Sequence, residues 1–141
     1  MIKTIKLFWL KVRNKIEKTE VFNKDIDYQL ERASKYSERL DTFYTTCDYK
    51  TMKTLVSIMP FKCRTYKRDR YDCDDFAYDF WRTLKNMFPT LTVGVCHVSI
   101  PHKGIRHALN WCITSDKGFF MIEPQSGKIF FPNYKIEVMI I

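Results

Sequence analysis

The sequence predicts an α+β domain in which helices come first and an antiparallel sheet of about five strands follows. Three observations carry that prediction. Apolar residues recur at three- and four-residue spacing before Pro89 and at two-residue spacing after it, so the period changes once from helix to strand. Turn sequences at 101–104 (Pro-His-Lys-Gly), 115–118 (Ser-Asp-Lys-Gly) and 126–127 (Ser-Gly) cut the second half into hairpin-sized pieces. The chain has 141 residues, 45% of them apolar, with four Gly and five Pro, which makes one ordinary core and excludes a disordered or low-complexity chain. Residues 1–141 therefore read as a single domain, with a helical part over 1–60 and a core carrying one central helix and the sheet over 61–141.

Ile2, Ile5, Phe8, Trp9, Val12 and Ile16 form one stripe on a helix over 2–18, whose remaining surface is largely Lys and Arg. Such a basic amphipathic helix can lie on anionic lipid, but its stripe more commonly packs on its own domain, and peripheral membrane contact is the lesser expectation. A second helix runs over 21–43 with Phe22, Ile26, Leu30, Ala33 and Leu40 inward and a mixed-charge outer face. Asp48 caps a short third helix over 48–59, which Pro60 closes. Over 61–71, Lys62, Arg64, Lys67, Arg68 and Arg70 interleave with Tyr66 and Tyr71. Single-strand nucleic-acid grooves share that pattern with ordinary solvated loops, the loops being commoner. The clearest helix spans 72–88, ends at Pro89, and turns Cys73, Phe76, Ala77, Phe80, Trp81, Leu84 and Phe88 inward. Strands are expected at 91–100, 106–114, 118–123, 128–131 and 135–140.

The formal net charge of +8 points to an anionic partner. Residues 1–70 hold seventeen Lys and Arg against nine Asp and Glu, whereas residues 71–141 hold seven against seven. The neutral half contains all three His and three of the five Cys, so chemistry is expected there and partner selection in the basic half. Cysteines at 47, 63, 73, 96 and 112 are odd in number and form no CxxC pair. Reduced thiols in the cytoplasm, a host's cytoplasm if the source is viral, are the expectation. No stretch approaches the roughly 20 apolar residues of a membrane span, and the apolar run at 7–10 is too short for a signal-peptide core.

Cys73 falls in the first turn of the 72–88 helix, where unpaired N–H groups and partial positive charge favour a thiolate. The neighbouring Asp72, Asp74 and Asp75 oppose it, so a base is needed. His107 opens a strand, and a tight turn at 115–118 sets odd residues against odd across the hairpin, bringing Glu123 to the face of His107. Glu123 can then hold one imidazole nitrogen while the other takes the Cys73 proton, the division of labour in a Cys-His-carboxylate triad. Each member has a plainer reading as a small buried hydrophobe, a rim residue or a turn carboxylate. The three together, in this order and on these elements, are more specific than any one.

The segments Tyr71-Asp72-Cys73-Asp74-Asp75-Phe76-Ala77, Arg106-His107-Ala108-Leu109-Asn110 and Ile122-Glu123-Pro124-Gln125 resemble the papain-like and transglutaminase-like cysteine peptidases. Within them, the segments are most similar to the peptidase domain attached to a mushroom agglutinin and its phage relatives. The resemblance covers 66–131. It implies a papain-like fold with Cys73 as nucleophile, His107 as base and Glu123 as orienting acid. It also implies Gln125 as an auxiliary residue and Tyr66 as an aromatic lining the site. Papain's upstream oxyanion Gln has no counterpart, since Gln29 falls on a different helix, and the Cys73 N–H and Gln125 are the donors at hand.

The relative's calcium dependence implies Asp72, Asp74 and Asp75 as hard oxygen donors, although helix capping explains the same carboxylates and thiol chemistry needs no cofactor. Zinc at Cys96, His97 and Cys112 is disfavoured because adjacent strand residues point to opposite faces. The implied activity is that of a cysteine peptidase or amidase, cleaving an amide in a protein or peptide through a thioester. The competing expectation is a non-catalytic, phage-type module whose basic half binds nucleic acid or an acidic host protein.

Overall fold

The computed structural model describes residues 11, 20–21, 36–38, 44–59, 64–100, 103–131 and 135–141. All of the helix expected over 2–18 except Lys11, most of that over 21–43, and Pro60, Cys63 and His102 lie outside these residues.

Helix α1 (Tyr49–Ser57) begins where the extended Asp48 accepts the Thr51 N–H at 2.7 Å. Asp116, from a turn in the sheet, accepts the Tyr49 N–H at 2.7 Å. Two of the N–H groups that a helix start leaves orphaned are thereby satisfied. Helix α2 (Cys73–Met87) begins with a capping box between Asp72 and Asp75, in which the Asp75 carboxylate accepts the Asp72 N–H at 3.1 Å. Phe76, Phe80 and Leu84, four residues apart, form its buried stripe with Ala77. The stripe packs on Cys112, Phe120 and Ile122 of the sheet and on Met52, Leu55 and Val56 of α1.

The short strands β1 (Glu20–Val21) and β3 (Tyr44–Thr45) pair antiparallel apart from the main sheet. The main sheet comprises β2 (Tyr36–Glu38), β4 (Val93–Ile100), β5 (Ile105–Thr114), β6 (Gly118–Glu123), β7 (Lys128–Phe130) and β8 (Lys135–Ile140). Their order is β2-β8-β4-β5-β6-β7, antiparallel from β8 to β7, with β2 parallel to β8 at the edge. Val95 opposes Asn110 and Asn110 opposes Ile122, so residues of that parity face α2. The other parity, with Cys96, Val98, Leu109, Trp111 and Met121, builds a second core under Tyr44 and Met139.

The centre of the sheet is tightly packed. The Trp111 Nε1–H donates to the Ile140 carbonyl at 3.2 Å and the Val95 carbonyl at 3.3 Å, crossing directly over Gly94. A Cβ on Gly94 would lie 2.0 Å from that Ile140 oxygen.

The expected helix over 21–43 is corrected: Tyr36–Glu38 is a strand, and Val21 belongs to another. The unpaired N–H and C=O groups along β8 offer a ladder, and pairing them outweighs local helix propensity. Among the described residues the protein is accordingly mostly β, with two helices and a five-strand antiparallel run extended by one parallel strand. The α+β expectation is corrected to that extent. No helix among the described residues is long and apolar enough to cross a membrane.

Candidate functional site

A cleft of about 430 Å³ opens beside the N-terminus of α2. Cys73, Asp74 and Tyr78 form its helical wall, and His97, Arg106 and His107 form the wall contributed by β4 and β5. The Asn110 amide fixes the helix against the sheet one turn below Cys73. Fully buried, it donates to the Ala77 carbonyl at 2.8 Å and to the Gly94 carbonyl at 3.1 Å.

His107 Nε2 lies 2.7 Å from Glu123 Oε2, with both side chains only about one-fifth exposed. A carboxylate only accepts, so Nε2 carries the hydrogen of this bond. The other oxygen, Glu123 Oε1, accepts the Gln125 N–H at 3.1 Å, and the Gly127 N–H donates to the Glu123 carbonyl at 2.7 Å. The acid is thus held by the turn that follows it.

Cys73 is partly exposed, whereas Cys47, Cys96 and Cys112 are buried. Burial pushes the Cys96 thiol up to about 12 and the Cys112 thiol higher still. Among the described cysteines, Cys73 alone combines access with a helix N-terminus. Its thiol makes no hydrogen bond within the described residues and shares the cleft wall with His107. The cleft thus exposes one thiol, and the His107–Glu123 pair stands at its margin, at the end of β5.

An acidic rim adjoins the thiol. Ligating atoms of Asp72, Cys73 and Asp74 lie within 4.8 Å of one another. A hydrogen bond between Asp72 and Asp74 holds Asp72 below and Asp74 above the usual carboxylate range. Asp72 Oδ1 is shielded from solvent and has no hydrogen-bond partner. Asp75 is occupied in the capping box.

Other sequence candidates fall elsewhere. Tyr66 is half exposed and outside the cleft wall, and Gln125 contributes its backbone N–H to Glu123. Cys96 faces the second core and Cys112 the first, while His97 faces the cleft, so these three do not converge. In the basic aromatic stretch, Arg64 Nη1 lies 2.6 Å from Asp79 Oδ2, and the Tyr71 hydroxyl donates to the same oxygen at 2.8 Å. Part of the apparent nucleic-acid groove is thus spent anchoring its own loop to α2. Sequence reasoning missed Arg106 as a cleft residue. Strand alternation carries the signal, since Arg106 shares the face of Ala108, which packs on Ala77 of α2.

Residues 13–141 match the family described as ricin-type β-trefoil lectin C-terminal domain. The chain belongs to that family. It is similar to the solved chain of the PSL1a-E64 complex, with a TM-score of 0.76 and 20% identity over 88% of this chain and 52% of that one. It is also similar to Polyporus squamosus lectin bound to the human-type influenza-binding epitope Neu5Acα2-6Galβ1-4GlcNAc, with a TM-score of 0.73 and 18% identity over 88% of this chain and 50% of that one. The chain therefore spans about half the length of these neighbours, and likeness at such identity shows the fold. No curated protein matches it.

These findings correct the resemblance to papain-like and transglutaminase-like peptidases. The fold is the one shared with these two solved chains, and the family is a lectin C-terminal domain. Hydrolase and thiol-protease descriptions, a protein or peptide substrate, and nucleic-acid binding are replaced by membership of a carbohydrate-binding family. The segments that carried the resemblance describe a local constellation, which unrelated folds can share, whereas the family match runs over 13–141.

Proposed function

We propose that this chain is the C-terminal domain of a carbohydrate-binding protein and contributes a ligand cleft built around a nucleophilic thiol. In this reading Cys73 is the nucleophile, His107 the base and Glu123 the orienting acid, with Gln125 auxiliary through its backbone. The observation that carries it is that His107, whose Nε2 lies 2.7 Å from Glu123 Oε2, lines the same cleft as the accessible Cys73.

The probe is iodoacetamide. The Cys73 sulfur forms a C–S bond, iodide departs with the electron pair of the C–I bond, and the thiol proton passes to His107 Nδ1. Peptide mass spectrometry is expected to find Cys73 labelled ahead of Cys96 and Cys112, and His107→Ala is expected to slow that labelling about 10²-fold, the scale of a lost general base. E64, the compound of the PSL1a complex, is expected to protect Cys73. Labelling indifferent to His107 and to E64 overturns the reading.

Glycan recognition is proposed for the whole protein, on the support of the family and of the sialylated epitope held by the Polyporus squamosus lectin. Calorimetry of this chain with Neu5Acα2-6Galβ1-4GlcNAc tests whether this domain takes part. Heat of binding supports it, and silence at millimolar glycan removes the domain from that role.

Calcium fits the acidic rim, where Asp72 and Asp74 offer hard oxygens and one of them is buried without a partner. These two residues would hold the ion, which would supply positive charge beside the thiol. Added calcium is expected to raise Tm, and Asp72→Asn with Asp74→Asn to abolish the rise. A reducing compartment, the cytoplasm, is the proposed location, in keeping with the free cysteines among the described residues.

A further inference from the structure

The geometry points to an anion subsite at Arg106 that orients a carboxylate-bearing ligand beside Cys73, an inference that rests on the thiol-cleft reading above. Arg106 lines the cleft from the strand opposite the helix. Glu137 takes one edge of its guanidinium, with Nε 3.1 Å from Oε2, and the Ser99 hydroxyl donates to the other Glu137 oxygen. Glu137 is thereby held below the usual carboxylate range, first by Ser99 and then by Arg106 and Lys135, so its carboxylate stays ionised beside the guanidinium edge.

The two terminal nitrogens of Arg106 have no hydrogen-bond partner among the described residues. A guanidinium fork of this kind matches the two coplanar oxygens of a carboxylate. His97 stands beside it in the cleft, and burial and the Arg106 charge push its pKa down. It therefore contributes a neutral ring rather than a competing cation. Asp74 lines the helical wall. A ligand with one carboxylate is attracted at the Arg106 side and repelled at the Asp74 side, so the cleft selects orientation as well as charge.

Iodoacetate and iodoacetamide deliver nearly the same carbon to the same sulfur and differ in charge, so their rate ratio at Cys73 reads the subsite. Arg106→Gln is expected to lower the iodoacetate rate at least threefold while leaving the iodoacetamide rate within twofold. Glu137→Gln, which leaves Arg106 in place, is expected to keep or raise the iodoacetate preference, and it controls for loss of the ion pair. An iodoacetate-to-iodoacetamide ratio unchanged in Arg106→Gln overturns the subsite while leaving the reactive thiol standing. Failure of both reagents to label wild-type Cys73 overturns the thiol-cleft reading and the subsite with it.

Discussion

Asn110 ties the helix to the sheet through two carbonyls on different elements, Ala77 on α2 and Gly94 on β4. Both contacts are lost together when the amide is removed. Asn110→Ala is expected to cost about 2–3 kcal/mol, the scale of a buried hydrogen bond deleted with its cavity, read as a lower urea midpoint at unchanged slope. Gly94→Ala acts by overpacking instead, because its Cβ meets the Ile140 carbonyl at 2.0 Å and Trp111 Nε1 at 2.5 Å. A loss of about 1–3 kcal/mol is expected there, with a matching drop in Tm. Neither role was legible in the sequence, where Asn110 was one letter of a motif and Gly94 one interruption of a strand. His107 and Glu123 were legible, because a hairpin's turn fixes which residues share a face.

Helix α2 was readable as an element from its four-residue apolar spacing and from Asp72 before it. Its capping box sets the position of Cys73, so the element and the site stand or fall together. Asp75→Ala is expected to cost about 0.5–2 kcal/mol in stability and to slow Cys73 alkylation as the first turn frays, with melting and labelling measured on the same sample. Undisturbed labelling in that variant would show that the cap does not govern the thiol. The N-terminal strands were not readable in this way. Strands of two and three residues have too few positions to display a period, and their pairing partners lie far away in sequence.

Across the molecule, burial of thiols makes stability depend on pH. Cys96 rises from an ordinary 9.0 to about 12 in the folded protein, and Cys112 rises further. The unfolded chain releases these protons first, so the stabilisation is complete below pH 9 and is lost as pH climbs towards 12. Cys96 alone contributes a slope of about 1.4 kcal/mol per pH unit in that window, and Cys96→Val is expected to flatten it in denaturant melts between pH 8 and 10.5. By itself, the sequence determined the central helix, the hairpin parity that joins His107 to Glu123, and the division between a basic half and a neutral half bearing the thiol. Those depend on local spacing and turn chemistry, which neighbouring residues impose on one another. Tertiary structure alone decided that β2 joins the edge of β8, that Asn110 clamps α2 to β4, and that Arg106 and His97 meet Cys73 in one cleft. Each of these depends on contacts between distant segments, whose free energy no local pattern encodes. Family membership likewise came from the match over 13–141 rather than from the short segments around the thiol.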